Sequence, residues 1–449
     1  MTILEIAAEP QPSAQSEAEL LPKDILIPFA LITCCFALWG FANDITNPMV
    51  AAFQKIFLTS ATEATWIQVA FYGGYGAMAF PAALFIRRYS YKAGILVGLG
   101  LYAIGGFLFI PASNMGDFFP FLMAYFVLTC GLSFLETTAN PYILSMGPEE
   151  TATRRLNLAQ AFNPIGSLIG MFTASQLILA KLDPRTKEAR ELLSSEEFEA
   201  IKSVDLEIVS NPYIMIGLVI IAMFVIIALK NMPKTERNDV DDLSLKAIFG
   251  RLFHTSKYME GVVAQMFYVG AQIMCWTFII HYGTEVFVVQ GMAEKEAQVL
   301  SQQYNIAAML MFCISRFVCT FMLKYVCSGT LLMYLAAGGM TLALGTIFIG
   351  GIVGLYCLVG ISACMSMMFP TIYGIALEGI HGDDAKIAAA GLIMAIVGGT
   401  FLPMLQAGVI DGWSADFLSG PQASFALPLI CFVVIAVYGY RTVKVHGDR

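Results

Sequence analysis

The sequence predicts an all-α membrane protein with twelve transmembrane helices arranged as two six-helix halves. Of its 449 residues, 58% are hydrophobic and only 13% are charged, whereas a soluble protein carries roughly 25% charged residues. Apolar runs of about 20 residues recur along the chain, each long enough to cross the hydrocarbon core of a bilayer as a helix. A short similarity between the two halves is the third observation.

The apolar runs set the order of the predicted spans. They lack the short alternating pattern of a membrane-spanning strand barrel, so helices are the remaining way to cross the bilayer. The twelve predicted spans cover residues 25–54, 64–86, 93–112, 119–146, 156–180, 211–232, 258–282, 298–325, 329–349, 352–379, 385–408 and 422–441.

Polar segments divide the chain between these spans. Residues 1–24 are acidic and rich in Ser, Pro and Gln, which predicts a disordered tail, and a second tail is predicted at 442–449. Residues 181–210 contain SSEEFEAIKSVDLEIV, which is typical of a short amphipathic surface helix. The predicted central loop, 233–257, separates an N-terminal half, 25–232, from a C-terminal half, 258–441.

Charge placement predicts the orientation of the chain. Most of its 25 lysines and arginines fall in the tails and in alternate loops, including the central loop. Since cytoplasmic loops are enriched in Lys and Arg, we expect both termini in the cytoplasm. The net charge of −8 argues against a nucleic-acid partner, which requires clustered positive charge.

Motifs for catalysis or cofactors are missing. No GxxxxGK[ST] loop is present, so nothing supports ATP-driven transport by this chain. No Ser/His/Asp arrangement or metal-ligand spacing stands out, and the ten cysteines lie in or at the ends of apolar runs, without C-x-x-C spacing. We therefore expect no enzyme activity, no cofactor and no metal.

The two halves share a short repeat. GLSFLETTANP in span 4 aligns with GISACMSMMFP in span 10 at an offset of 229 residues. The shared positions pair Gly131 with Gly360, Ser133 with Ser362, Thr137 with Ser366 and Pro141 with Pro370. Parallel repeats of this kind build transporters of the major facilitator architecture, in which the substrate site lies between the halves near the midplane.

Three ionisable residues fall inside predicted spans. Glu136 is central in span 4, Asp44 lies in the second half of span 1, and Arg316 is central in span 8. Each costs about 3 kcal/mol at the bilayer centre unless it is paired or hydrated. Either these groups form buried ion pairs, or they bind solute or protons in a hydrated cavity. Because Met365 takes the place of Glu136 in the repeat, a purely architectural role is disfavoured for that carboxyl.

Several amides share faces of the predicted helices. Asn43 and Asn47 are four residues apart, and Gln160 and Asn163 are three apart, so each pair should share one face. The remaining amide candidates are Asn140, Gln265 and Gln272. Amides both donate and accept hydrogen bonds, which suits neutral hydroxylated solutes; the alternative is hydrogen bonding between helices.

Aromatic side chains offer a second means of binding sugars. Trp276 lies one turn after Gln272, and Phe369 and Tyr373 lie in span 10. Such rings could stack on the apolar face of a sugar. Packing or an interfacial belt is the alternative explanation for aromatic residues in spans.

At these residues the sequence resembles the fucose–galactose–glucose:proton symporter family of the major facilitator superfamily, and within it the bacterial L-fucose permeases. The resemblance rests on ALWGFAN in span 1, AFYGGY and RRYSYKAGI around span 2, LETTANP in span 4, GPE followed by RLNLAQAFN in span 5, AQMFYVGAQIMCW in span 7, SRF in span 8, MSMMFPTIYG in span 10 and IVGG in span 11. It covers nearly the whole chain.

The resemblance implies roles for several residues. It implies that Glu136 is the protonatable carboxyl, and that Gln160 and Asn163 match amides of the sugar cavity. Gln272, Trp276 and Arg316 match the pattern of the C-terminal half. One departure is Phe369, where fucose permeases carry a tyrosine.

The main departure is in span 1, where Asn47 replaces a functional aspartate of the family and Asp44 lies three residues earlier. Asp44 could serve the same cavity, or the second proton site is lost.

The sequence and the resemblance together predict a proton-coupled symporter that imports a monosaccharide, L-fucose first, by alternating access. Alternatives are a glucose, galactose or mannose symporter, coupling to sodium, and an uncoupled carrier. A membrane enzyme or sensor is disfavoured because the polar loops are too short for a catalytic domain. We expect a multi-pass monomer in the lipid bilayer of the bacterial inner membrane.

Overall fold

The computed structural model describes residues 19–46, 49–59, 63, 66–185, 187–233, 245–413 and 418–446. These residues form helices and connecting turns, with no strand among them. Twelve helical segments are long and apolar enough to cross a membrane. The prediction of twelve spans is therefore confirmed.

The spans are numbered 1 to 12 in chain order. Their bounds are Leu26–Thr46, Val69–Arg88, Tyr91–Met115, Phe118–Ser145, Glu149–Leu179, Ser195–Leu229, Ser256–Val289, Glu296–Met322, Ser328–Phe348, Gly351–Leu377, Gly382–Ile410 and Gly420–Lys444. The helices of spans 2 and 8 extend slightly further, over Trp66–Arg88 and Glu294–Met322.

Five spans are built from more than one helical piece. They are span 3 (Tyr91–Phe107, Phe109–Met115), span 5 (the 3₁₀ turn Glu149–Thr151, Ala152–Gln160, Asn163–Phe172, the π-helix Thr173–Leu179), span 10 (Gly351–Met365, Met368–Leu377), span 11 (Gly382–Met394, Ala395–Val397, Gly398–Gly412) and span 12 (Gly420–Ser424, Ala426–Lys444). Shorter helices outside the spans are Met49–Phe57, Lys187–Glu191 and Leu245–His254.

The predicted surface helix of the 181–210 segment is helical but not separate. A single helix runs over Ser195–Leu229, so the amphipathic stretch is the beginning of span 6. A capping box fixes its start, because the Ser194 hydroxyl accepts a hydrogen bond from the Glu197 backbone N–H, and the Glu197 carboxylate accepts one from the Ser194 backbone N–H. The charged loop is correspondingly shorter than its polar composition indicates.

The predicted central loop and tails fall only partly on described residues. Residues 1–18, 234–244 and 447–449 lie outside them. The remainder of the loop contains the helix Leu245–His254, which buries Ile248 and Leu252. That helix docks on span 11 through Arg251, which donates two hydrogen bonds, of 2.8 and 2.7 Å, to the Asp384 carboxylate.

Prolines explain the breaks in spans 5 and 10. Proline has no N–H, so the carbonyl four residues before it loses its helical partner. Pro164 follows the interruption at residues 161–162, and Pro370 follows the one at 366–367. The two freed carbonyls belong to Gln160 in the N-terminal half and Ser366 in the C-terminal half.

Twelve alternating spans place Leu26 and Lys444 at the same end of the bundle, here called the termini side. Contacts between the halves lie there and at mid-membrane. At the termini side, Arg87 of span 2 donates to Asp383 of span 11 over 2.8 Å. Deeper in, Asn157 of span 5 donates to the Thr371 hydroxyl of span 10 over 3.0 Å. The halves are thus joined on the termini side.

Candidate functional site

Glu136 lies at the centre of the N-terminal half. It is in a stretch of span 4 in which every residue from 128 to 143 is buried, and its side chain has no exposed surface. Neither of its carboxyl oxygens has a hydrogen-bond partner among the described residues. Buried polar groups in native proteins are almost always hydrogen-bonded, so an unsatisfied carboxyl in this place points to function rather than to packing.

Other unsatisfied polar groups lie around mid-membrane. The hydroxyl of Tyr373 in span 10 is buried without a partner in the described part of the chain. The indole N–H of Trp39 in span 1 is buried next to the Tyr75 hydroxyl of span 2, and both amide atoms of Gln265 in span 7 are buried and unpartnered among the described residues. Spans from both halves therefore present free donors and acceptors to the interior.

Two of the predicted amides form a chain with Glu136. The Asn140 side chain donates to the backbone carbonyl of Glu136 over 3.0 Å. Its amide oxygen accepts from Gln160 Nε2 over 2.7 Å. These bonds orient both amides and join span 4 to span 5 about one helical turn after Glu136.

Arg316 connects the halves at the same depth. It is buried, and its Nη1 donates to the Gln160 carbonyl over 2.9 Å. Its Nε donates to the Ser366 carbonyl, and its guanidinium lies 4.6 Å from the centre of the Phe312 ring. The two acceptors are the carbonyls freed by Pro164 and Pro370. Arg316 thus donates hydrogen bonds to the interrupted helix of each half. Its described partners are carbonyls, not an acidic residue.

Aromatic residues form one wall in the C-terminal half. The Trp276 indole N–H donates to Ser362 Oγ over 3.2 Å, and its ring meets Phe312 edge-on at 5.0 Å. Phe369 is buried, with its ring centre 6.2 Å from Tyr268 and 6.4 Å from Tyr373. These rings occupy the region where the sequence predicted sugar stacking.

Not every candidate joins this group. Asn163 donates to the Phe36 carbonyl over 3.1 Å and so links span 5 to span 1. Because the helix is interrupted at 161–162, the predicted common face of Gln160 and Asn163 does not give them a common partner. Gln272 is half-buried in span 7.

The span 1 candidates extend towards the other end of the bundle. Asn43 is half-buried, with an unpartnered amide oxygen in the described part of the chain. Asp44 is half-buried and interacts electrostatically with Tyr72 of span 2. Asn47 lies outside the described residues.

Sequence reasoning missed Asn157, Thr371 and the Ser366 carbonyl. The Asn157–Thr371 bond joins residues that are distant in sequence, and no local pattern indicates it. The free Ser366 carbonyl could have been predicted from the sequence, because Pro370 lies four residues after it and has no N–H to donate.

Two of the cavities among the described residues are of interest for transport. One, of about 1420 Å³, opens at the termini side between the halves and is lined by Tyr91, Pro141 and Gly374 among others. Glu136 does not line it, being more than one helical turn deeper than Pro141. The second, of about 1010 Å³, lies at the opposite side between spans 7 and 8, and its lining mixes polar residues such as His281 and Gln302 with apolar ones such as Val288. Among the described residues no cluster suits a metal ion.

Twelve spans in two halves that meet around buried polar side chains define a membrane carrier for small solutes. The chain belongs to the Major Facilitator Superfamily, whose family model matches residues 32–403. The predicted fold and family are confirmed, and the relatives of the chain are transporters, not enzymes.

Similarity extends over nearly the full chain. It is 52% identical over 433 residues to the L-fucose-proton symporter of Haemophilus influenzae, covering 95% of this chain and 99% of that one. It is 33% identical over 419 residues to the L-fucose-proton symporter of Escherichia coli, covering 93% of each. The crystal structure of FucP, a transporter of this superfamily in the outward conformation, matches with a TM-score of 0.84 and 33% identity, covering 93% of this chain and 99% of that one.

Proposed function

We propose that this protein is a symporter that imports L-fucose together with a proton by alternating access. The observation that carries the proposal is the Glu136 carboxyl, fully buried at mid-membrane with two unpartnered oxygens. Relatives named as L-fucose-proton symporters, at 52% and 33% identity, support both substrates.

The burial of Glu136 supplies the coupling. An ionised carboxylate without donors is strongly disfavoured in such surroundings, so Glu136 holds a proton in this conformation. Its oxygens then suit sugar hydroxyls, which both donate and accept hydrogen bonds. The proton can leave only when the site is hydrated from one side. Loss of the proton is therefore tied to the change in access that also releases the sugar.

The sugar site lies between the halves. The hydrogen-bonded amides of Asn140 and Gln160 contribute to it next to Glu136, as does the unpartnered amide of Gln265. Trp276 and Phe369 supply apolar surface. The sugar-binding residues expected from the sequence also include Asn43, Asn47, Asn163, Gln272 and Arg316. Glu136, the buried carboxyl of span 4, is the proposed proton site, with Asp44 of span 1 as the second candidate. The relatives named as proton symporters favour a proton over a sodium ion as the coupling ion.

The membrane setting follows from charge and contacts. The termini side carries the basic loops, so we assign it to the cytoplasm and the protein to the bacterial inner membrane, as a monomer. The halves are joined on this side, and the cavity that opens between them there does not reach Glu136, so the carboxyl is separated from the cytoplasm in this conformation.

Proton movement with and without the Glu136 carboxyl tests the proposal. Adding L-fucose to cells in unbuffered medium should make the medium alkaline, and E136Q should abolish this change while sugar exchange across the membrane persists. Glu149, which is exposed on the termini side, provides the control E149Q, which should behave as wild type.

The same assay separates the alternatives. D-glucose, D-galactose and D-mannose are added in turn, and a response to one of these but not to L-fucose would overturn the sugar assignment. Uphill accumulation by E136Q with unchanged proton uptake would overturn the role of the carboxyl. Accumulation that follows a sodium gradient at every pH would replace the proton with sodium.

A further inference from the structure

Span 5 meets the C-terminal half in a ladder of three contacts. Nearest the termini side, Thr153 packs against Gly374 of span 10. About one turn deeper, Asn157 and Thr371 exchange hydrogen bonds, because Asn157 Nδ2 donates over 3.0 Å and the Thr371 hydroxyl donates back to Asn157 Oδ1 over 3.4 Å. The third contact, a further turn inward, is the bond from Arg316 described above. Their spacing of four and then three residues keeps the three contacts on one face of the first helical piece of span 5.

This ladder separates the termini-side cavity from the proposed sugar site. Thr153 and Gly374 line the cavity, whereas Asn157 and Thr371 do not line it and have no exposed surface. At the inner end of the ladder, Gln160 belongs to the chain of amides that leads to the buried carboxyl. The stretch from Thr153 to Gln160 is ~10 Å of helix, and this is the thickness of the barrier between the cavity and the site.

Gly374 allows the closest part of the ladder to form. A side-chain carbon at this position would lie 2.6 Å from Thr153 Oγ1, 2.9 Å from Thr153 Cγ2 and 3.1 Å from Thr153 Cβ. Threonine is branched at Cβ and stiff about χ1, so a rotation would exchange one clash for another. The halves therefore reach this distance because residue 374 has no side chain.

The second contact is polar but uncharged. Asn157 Nδ2 also donates to the Thr153 carbonyl over 3.0 Å, so it keeps a partner within its own half when the halves separate. The amide and the Thr371 hydroxyl would then be hydrated, and both groups suit a hydroxylated solute that passes between them. When the contact closes, the same two groups satisfy each other and leave no room for water.

We propose that this ladder is the inner gate of the carrier, and that its closure depends on the packing of Thr153 against Gly374. The inference rests on the proposed function, to which it adds the place where the sugar site is sealed from the cytoplasm and the residues that must part for release.

Adding one carbon to Gly374 tests the gate. In G374A we expect L-fucose uptake to fall about tenfold, because overpacking a close contact disfavours the closed form by roughly that factor. T153A/G374A removes the two atoms nearest to the added carbon and should restore uptake. The control G360A adds the same carbon in the same span, where it meets only the end of the Leu342 side chain, at 3.2 and 3.7 Å, and it should match wild type.

Cross-linking across the cavity reports closure in the absence of sugar. Glu149 Oε1 and His381 Nε2 lie 3.7 Å apart on opposite halves, and both residues line the cavity. In a chain whose ten native cysteines are replaced, a short bifunctional thiol reagent should join E149C to H381C. G374A should slow this reaction about tenfold, and T153A/G374A should restore it. T371V keeps the shape of the side chain but loses the bond to Asn157, and it should slow the reaction about threefold to tenfold.

The possible results are distinct. A folded G374A with wild-type uptake and cross-linking would overturn the gate, and so would a T153A/G374A that stays impaired or a G360A that is impaired as much as G374A. Should G374A fail to fold, cross-linking of T371V at the wild-type rate would overturn it. Absence of L-fucose-induced proton uptake in wild type would instead refute the proposed function, whereas the cross-linking rates, measured without sugar, would still test the gate.

Discussion

Replacing Arg316 with methionine removes a bond between the two halves while keeping a long side chain in span 8. Arg316 donates one hydrogen bond to the Gln160 carbonyl of the N-terminal half and one to the Ser366 carbonyl of its own half. Both acceptors lack their helical N–H because of the prolines that follow them. In R316M neither carbonyl has its charged donor, and the Arg316–Gln160 bond across the halves is lost.

The magnitude follows from the one bond that crosses the halves, which runs from Arg316 to the Gln160 carbonyl. A hydrogen bond from a charged group contributes about 1.5–3 kcal/mol, and the bond to Ser366 stays within one half and does not favour either conformation. Since every 1.4 kcal/mol is a factor of ten, R316M should shift the balance roughly tenfold or more towards separation of the halves on that side.

Double electron–electron resonance, which measures the distance between two spin labels, reports this shift. Glu149 and His381 face each other across the halves with 3.7 Å between the Glu149 Oε1 and His381 Nε2 atoms, and their side chains are 60% and 67% exposed. Labels at these positions, in a chain whose ten native cysteines are replaced, should therefore not disturb the packing. We expect one short distance with Arg316 present and a dominant longer distance in R316M.

The control is R441M. Arg441 makes an equally close pair of bonds, of 2.9 and 2.7 Å, but to Glu260 within the same half. It should leave the label distance unchanged. A folded R316M that keeps the short distance would refute the clamp, and so would a lengthening in R441M that equals the one in R316M.

Two further predictions concern stability. Gln160→Leu removes the 2.7 Å donor to Asn140 and leaves a buried amide oxygen unsatisfied, so thermal unfolding in detergent should show a loss of about 1–3 kcal/mol together with weaker sugar binding. In Gly166→Ala the added carbon would lie 1.8 Å from the Ala37 carbonyl oxygen, so spans 1 and 5 would have to separate, and we expect a lower melting temperature and a loss of uptake. The control is Gly76→Ala, which has nothing within 4 Å of the added carbon and should match wild type. A control variant that is destabilised as much as Gly166→Ala would disprove the packing argument.

The spans could be predicted because lipid leaves a spanning chain few choices. Every backbone N–H and C=O must be satisfied within the segment, so a run of apolar residues of sufficient length becomes a helix. Span 4 was predicted over 119–146 and is Phe118–Ser145. The burial of Glu136 could be anticipated in the same way, from its place at the middle of such a run.

The partners of the polar residues could not be predicted in the same way. Helical spacing gives the face of a side chain only while the helix is continuous. Span 5 is interrupted between Gln160 and Asn163, and the two amides turn to spans 4 and 1 respectively. The sequence contained the cause of the interruption in Pro164, but not the direction that the chain takes after it.

The partners of Arg316 show why carbonyls suit a contact that must open. The sequence allowed either a buried ion pair or a solute-binding group at this position. An ion pair across the halves would leave an unpaired charge in each half whenever they separated, at a cost of 3–5 kcal/mol. With two carbonyls as acceptors only the guanidinium needs new partners, and no helix unwinds because those carbonyls were already outside the helical bonding. The Gln160 amide also holds Asn140, which holds the backbone of Glu136. Separation of the halves therefore pulls on the residues next to the carboxyl, and the opening that frees Arg316 is the same event that admits water to Glu136.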